Sequence, residues 1–175
     1  MGEEMAAVGQ ETGNSKSREG KYLTFSLAGE EYGIGILKVK EIIGLMVITH
    51  VPQTPSYVKG VIDLRGRVIP VVDLRTKFGL EAGECTERTC VVVVEVSRNN
   101  GHVLIGGVVD SVSEVLNIRQ SEIEDTPDFG VHLDTRCILG MAKVGSGIKI
   151  LLDIDSVLGN DELTALPMGG SGKEA

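Results

Sequence analysis

Apolar positions follow a β-type pattern along most of this chain. Residues 21–27 alternate between polar and apolar side chains with a period of two, which predicts a half-buried strand. Residues 89–96 form a run rich in β-branched side chains, which predicts another. Helical patterns are brief, the best being residues 113–116 and 155–158. Turn-forming residues separate the strand patterns at 28–30, 65–66, 98–101 and 145–147. The pattern therefore predicts an all-β fold built from many short strands.

A repeated segment divides the chain into two similar parts. Residues 58–79 align without a gap on residues 138–159, at an offset of 80. Upstream, residues 36–42 lie over residues 109–115 at an offset of 73, so the second part has gained seven residues within 117–137. We expect a duplicated β unit whose second copy carries the extra residues as a loop.

The repeat predicts two β units, at residues 20–80 and 81–160, within one domain. Each has room for about five short strands, which suits a small barrel. A chain of 175 residues with 42% apolar content can bury such a core. The flanking segments 1–19 and 161–175 are rich in polar residues and glycine, and we expect them to be flexible tails.

Charge narrows the choice of partners. The chain has 17 Lys and Arg against 25 Asp and Glu, a net charge of -8, which opposes binding to nucleic-acid phosphates. Residues 20–80 contain eight basic and five acidic residues, whereas 81–160 contain six and thirteen. Opposite charge on two copies of one scaffold favours ordered, head-to-tail contacts with a partner, although drift of surface charge after duplication explains it equally well.

The sequence lacks the patterns of a membrane span, a secretory signal and a metal site. No apolar run reaches the roughly 18 residues of a membrane span, and the first residues do not form a secretory signal, so we expect a cytoplasmic protein without direct membrane insertion. Cys85, Cys90 and Cys137 are odd in number and lack metal-ligand spacing. We therefore predict no disulfide framework, no metal site and no cofactor.

Two aspartates at equivalent repeat positions are the best candidates for catalysis. Asp73 and Asp153 could share a proton as paired carboxylates do in an aspartyl hydrolase. Each, however, follows an apolar strand and precedes a short helical segment, 74–78 or 154–158, where Asp is a favoured N-cap. Capping is the favoured interpretation, and no other constellation argues for an enzyme.

Binding surfaces are better supported. The segments 39–43 and 112–116 are matching apolar stretches at bends, where they either line a groove between the units or pack in the core. Arg65 and Arg67 flank Gly66 in a predicted hairpin. Two guanidinium groups at a tight turn can bind carboxylates with paired hydrogen bonds, although a solvated hairpin tip has the same pattern.

Three segments, 31–42, 54–78 and 107–116, closely resemble the CheW family of bacterial chemotaxis coupling proteins. The resemblance covers about residues 20–160. Asp63 stands where the family usually has Asn. The most specific motif reads Gly60-x-x-Asp63-Leu64-Arg65-Gly66-x-x-x-Pro70-x-x-Asp73-Leu74-Arg75.

This resemblance implies two intertwined, five-stranded SH3-like barrels with short helical segments and no enzymatic activity. It implies a scaffold, or adaptor, that couples the cytoplasmic tip of chemoreceptors, the methyl-accepting chemotaxis proteins, to the regulatory domain of the histidine kinase CheA. The protein would then associate with membrane receptor arrays through these partners. A tandem-barrel module for another peptide or helix remains an alternative, as does the aspartyl hydrolase.

The resemblance also assigns residues to two interfaces. An ion pair between Glu41 and Arg65 is expected to shape the receptor groove. The implied receptor-binding residues are Val39, Glu41, Gly60, Arg65, Val112 and Val115, and the implied kinase-binding residues are Cys90, Glu124 and Phe129.

Overall fold

Short strands account for most of the residues that the structure describes. The computed structural model describes residues 18–98, 101–127, 135–145 and 147–159. The strands are β1 (Gly20–Leu27), β2 (Glu30–Gly35), β3 (Val39–Gly44), β4 (Val58–Leu64), β5 (Arg67–Asp73), β6 (Cys90–Arg98), β7 (Gly101–Val109), β8 (Ser111–Ile118), β9 (Ile123–Glu124), β10 (Ile138–Val144) and β11 (Gly147–Leu152). Two short helices follow hairpins, α1 (Leu74–Lys77) and α2 (Ile154–Leu158). No helix within these described ranges is long and apolar enough to cross a membrane.

The strands form two sheets that exchange segments of the chain. The first sheet has the order β8-β1-β2-β11-β10-β9, and the second has the order β3-β6-β7-β5-β4. The chain therefore starts in the first sheet, crosses to the second after β2 and returns after β7. This architecture confirms the prediction of an all-β fold with two intertwined SH3-like barrels, although the first sheet has six strands, one of them only two residues long.

The sequence repeat corresponds to a repeated hairpin and helix. The β4–β5 and β10–β11 hairpins both have a register shift near their start, before Gly60 and before Gly140. Each hairpin leads into a helix capped by an aspartate, as predicted. Asp73 accepts a hydrogen bond from the backbone N–H of Arg75, and Asp153 accepts one from that of Asp155. The division of the units at residue 80 stays a prediction, since the sheets themselves divide at the crossovers.

One predicted helical segment is wrong. Residues 113–116 lie within β8, which pairs antiparallel with β1 over most of its length. Local helical preference over four residues is weak, and pairing with a buried neighbouring strand outweighs it.

The largest core cluster joins the two barrels. It includes Phe25 of β1, Val92 of β6 and Leu152 of β11, which are all buried. Two smaller clusters lie within single sheets, one around Ile69 and Val93 in the second sheet and the other around Tyr22 in the first. Because the main core draws on both sheets, the barrels are packed as one unit.

An ion pair fixes the first crossover. Lys38 lies in the short 3-10 turn between β2 and β3, and its Nζ is 2.7 Å from Oδ2 of Asp155 in α2. The other oxygen of Asp155 accepts a hydrogen bond of 2.9 Å from the backbone N–H of Ser97 in β6. Asp155 therefore connects a helix of the first barrel to a strand of the second.

A second ion pair fixes the return crossover, with its charges reversed. Asp110 joins β7 to β8 and accepts hydrogen bonds from Nε and Nη2 of Arg75 in α1, at 2.8 and 2.6 Å. It also accepts one of 2.8 Å from the backbone N–H of Ala28, at the β1–β2 turn. The hydrogen bonds from Arg75 hold the pKa of Asp110 below its ordinary value. We call these two arrangements, centred on Asp155 and Asp110, the crossover latches.

The second latch should contribute measurably to stability. We expect Asp110→Asn to lower the free energy of unfolding at pH 7 by about 1.5–3 kcal/mol, the range for hydrogen bonds to charged groups. The lower end is favoured because 31% of the Asp110 side chain is exposed. Since folding lowers this pKa, the stabilisation is present above the unfolded-state pKa of about 4 and is lost as the pH falls through the folded-state value.

Urea denaturation at a series of pH values measures this effect. Glu87→Gln, at an exposed acidic residue, is the matched control and should leave stability almost unchanged. A loss for Asp110→Asn that is equal at pH 7 and pH 3 would contradict an electrostatic role.

Candidate protein-interaction site

A tight hairpin presents Arg65 at the end of β4. Leu64 and Arg67 pair directly across the turn, which leaves Arg65 and Gly66 as its two central residues. Both have positive φ, 52° and 89°, as a two-residue hairpin of type I′ requires. Asp63 accepts a hydrogen bond of 2.8 Å from the backbone N–H of Gly66, so the carboxylate stabilises the turn where the family usually has Asn.

The predicted ion pair between Glu41 and Arg65 is present. Nη1 and Nη2 of Arg65 donate to the two carboxylate oxygens of Glu41, at 3.0 and 2.5 Å. These hydrogen bonds lower the pKa of Glu41 and raise the pKa of Arg65. The pair ties the β4–β5 hairpin to β3 while 70% of the arginine side chain stays exposed. It therefore fixes the surface more than it stabilises the core.

Gly60 allows the second barrel to close. Its φ is 143°, and a Cβ at this position would lie 2.0 Å from the carbonyl oxygen of Thr49. Thr49 and Val61 exchange two backbone hydrogen bonds of 2.9 Å, which connect the segment after β3 to β4. Glycine is required because any side chain would displace this contact.

The three valines implied in receptor binding are all partly accessible. Val39 and Val112 each lie at or near the start of a strand that follows a crossover, and both are half-buried against the largest core cluster. Val115, in β8, is 49% exposed. Full burial would have favoured a purely structural role, and it is not observed.

The residues implied in kinase binding are more scattered. Cys90 begins β6, and burial raises the pKa of its half-buried thiol, an effect partly offset by a hydrogen bond from the backbone of Val112. The two implied interfaces therefore touch at Cys90 and Val112. Glu124 is an exposed residue of β9 and pairs with Nζ of Lys143 at 2.5 Å. Phe129 lies outside the described residues.

The catalytic alternative finds no support in the geometry. Asp73 ends a strand of the second sheet and Asp153 follows a strand of the first, and each also accepts a hydrogen bond from a hydroxyl of its own helix, Thr76 or Ser156. Within the described ranges, His, Cys, Asp and Glu form no group of three or more that could hold a metal ion. No disulfide joins Cys85, Cys90 or Cys137 to one another.

The sequence analysis did not predict the crossover latches, although the segments that it discusses contain their residues. Arg75 and Asp110 fall within the segments that resemble the CheW family, and neither was assigned a role. The available signal was a single charged residue between two apolar strands, as at Asp110. Its partner lies 35 positions away, and local pattern does not identify such a partner.

Comparisons with known proteins agree with this architecture. A family model described as the CheW-like domain matches residues 21–162. The chain is 39% identical over 159 residues to the chemotaxis protein CheW of Klebsiella aerogenes, covering 91% of this chain and 92% of that protein. It is 34% identical to the Bacillus subtilis protein of the same name over 79% of this chain and 86% of that protein.

A solved structure of a related protein has the same fold. The crystal structure of the scaffolding protein TtCheW from Thermoanaerobacter tengcongensis superposes with a TM-score of 0.71 at 32% identity, covering 82% of this chain and 95% of that one. The double barrel is thus the fold of a scaffolding protein. The chain belongs to the CheW-like family, whose members are scaffold or adaptor proteins of chemotaxis.

The ion pair can be tested through the titration of Glu41. We expect Arg65→Ala to raise the pKa of Glu41 back toward the ordinary range for glutamate, because the two hydrogen bonds that favour the carboxylate are lost. Carboxyl chemical shifts measured by NMR against pH report this change. Arg67→Ala, two residues along the same hairpin, should leave the titration unchanged. An unaltered pKa in Arg65→Ala would show that the pair does not persist in solution.

Gly60 offers a sharper test of backbone geometry. Gly60→Ala should lower the free energy of unfolding by more than about 3 kcal/mol, since positive φ and a backbone collision are combined at one residue. Gly35→Ala is the control, because a Cβ there meets nothing within 4 Å. Thermal denaturation of both variants gives the comparison, and equal melting temperatures would contradict the close approach of Thr49.

Proposed function

We propose that this chain couples chemoreceptors to the histidine kinase CheA in the cytoplasm, as a scaffold without catalytic activity. Its membership in the CheW-like family supports a chemotaxis role. The specific partners are the cytoplasmic tip of methyl-accepting chemotaxis proteins and the regulatory domain of CheA, and association with receptor arrays would follow from them.

The observation that supports the receptor contact is that three valines beyond the two crossovers keep accessible surface, one of them two residues from a fixed ion pair. Val39, Val112 and Val115 keep accessible surface, although a soluble fold gains by burying such side chains. Glu41 and Arg65 hold the adjacent hairpin in one position. A receptor helix could lay its apolar stripe along these valines, as amphipathic helices do in grooves. Gly60 would contribute through the shape of the closed barrel.

The kinase contact is proposed at Cys90, Glu124 and Phe129. Because Cys90 touches Val112, a change at one interface can alter the packing of the other. Coupling of this kind transmits the difference in binding free energy between two states, typically about 1–3 kcal/mol. The chain would therefore act by holding kinase and receptor in a defined arrangement.

Val115→Lys tests the receptor contact directly. A lysine at this exposed apolar position should weaken binding to a receptor cytoplasmic fragment by about tenfold or more, because its charge would be desolvated against the receptor helix. Val112→Lys, at the half-buried neighbour, should act in the same direction. Ile148→Lys is the matched control, since Ile148 is an apolar residue of similar exposure, 57%, in β11.

Binding to the receptor fragment and to the CheA regulatory domain would be measured by isothermal titration calorimetry, with melting temperatures to verify folding. The proposal requires the wild type to bind both partners. Retention of full receptor affinity by both valine variants would overturn the assigned surface. A wild type that binds neither partner would leave the tandem-barrel alternative as the better explanation.

A further inference from the structure

The second barrel has an open end with an apolar floor. A cavity of about 490 Å³ is bounded there by residues from all five of its strands. Leu64, Ile69 and Val93 form the floor, and all three are buried members of the core cluster of this sheet. The cavity is therefore the mouth of the barrel, a common position for binding sites in small β-barrels.

The rim of this mouth carries more positive than negative side chains. Lys40, Arg65, Arg67 and His102 lie around it with only two carboxylates, those of Glu41 and Glu95. Both carboxylates are already paired, Glu41 with Arg65 and Glu95 with Lys40 at 3.2 Å.

Two basic residues at the mouth have no partner for their side chains among the described residues. Arg67 and His102 are exposed, and neither has an ion-pair or side-chain hydrogen-bond partner among the residues that the structure describes. On a chain with a net charge of -8, an unpaired guanidinium group and a neighbouring imidazole beside one cavity form a local exception.

The alternation of side chains along each strand explains why the buried floor and the basic rim lie on the same face of the sheet. Arg67 and Ile69 are two positions apart on β5, so their side chains lie on the same face of the strand. His102 and Leu104 have the same relation on β7. On each strand the inner face changes from apolar in the core to basic at the mouth.

We propose that this mouth receives a carboxylate side chain, Asp or Glu, from a helix of the receptor tip. This rests on the proposed receptor contact and deepens it. A guanidinium group binds a carboxylate through two parallel hydrogen bonds, and Arg67 is unpaired whereas Arg65 is occupied by Glu41. The apolar floor suits the aliphatic part of such a side chain better than it suits an inorganic anion. Arg67 would then select receptors by charge, and the imidazole of His102 could donate a hydrogen bond to the same carboxylate.

Charge reversal at the rim tests this inference. We expect Arg67→Glu to weaken binding of a receptor cytoplasmic fragment by about tenfold, and His102→Glu to act in the same direction. The weakening should diminish as salt concentration rises, since rim charges are screened. Lys21→Glu is the matched control, because Lys21 is an exposed residue of β1, in the other sheet, that undergoes the same change of charge.

Isothermal titration calorimetry at two salt concentrations gives the affinities, and melting temperatures show whether each variant is folded. A receptor fragment in which one exposed carboxylate is replaced by lysine should restore binding to Arg67→Glu, and this rescue would identify the partner side chain. Equal affinities for Arg67→Glu and Lys21→Glu, with the wild type still binding, would overturn this inference alone. A wild type that does not bind the fragment would overturn the proposed function and this inference with it.

Discussion

The crossover latches are the constraint on which the rest of the fold depends. The chain passes between its two sheets twice, and each passage is held by one carboxylate whose hydrogen bonds connect the two barrels. Asp155 bonds to Lys38 and to the backbone of Ser97, and Asp110 bonds to Arg75 and to the backbone of Ala28. The strands that carry Val39 and Val112 begin directly after these passages. The position of the candidate receptor surface therefore follows from the latches.

In one latch the helix carries the acidic residue, and in the other it carries the basic residue. This difference determines which helix packs on which crossover, a choice that the duplication would otherwise leave open. Arg75 and Asp155 occupy equivalent repeat positions, 80 residues apart, so either helix could in principle pack on either crossover. In the wrong arrangement Arg75 would face Lys38, and Asp155 would face Asp110. Like charges at partly buried positions disfavour that pairing. The charges thus favour one sense of intertwining for two similar units, a form of specificity that apolar packing alone supplies poorly.

Sequence pattern predicted the features that depend on neighbouring residues. The hairpins, the glycine turn at Gly66 and the two aspartate caps are local, and all were found where expected. The helical interpretation of residues 113–116 was wrong because pairing with β1 decides the conformation there. The Glu41–Arg65 pair was anticipated from the family resemblance, not from spacing. The partner of Lys38 is 117 residues away, and the basic mouth assembles from five strands, so neither leaves a local signal.

The order of strands also makes the two barrels unequal during folding. The second barrel is a continuous stretch from β3 to β7, and it can form as soon as that stretch has left the ribosome. The first barrel is discontinuous, because β1 and β2 must wait for β8 and β11, which are made last. Until then the β1–β2 hairpin has both edges unpaired, a state that invites aggregation. Synthesis of the closing strands, not of the first hairpin, therefore sets when this scaffold becomes complete.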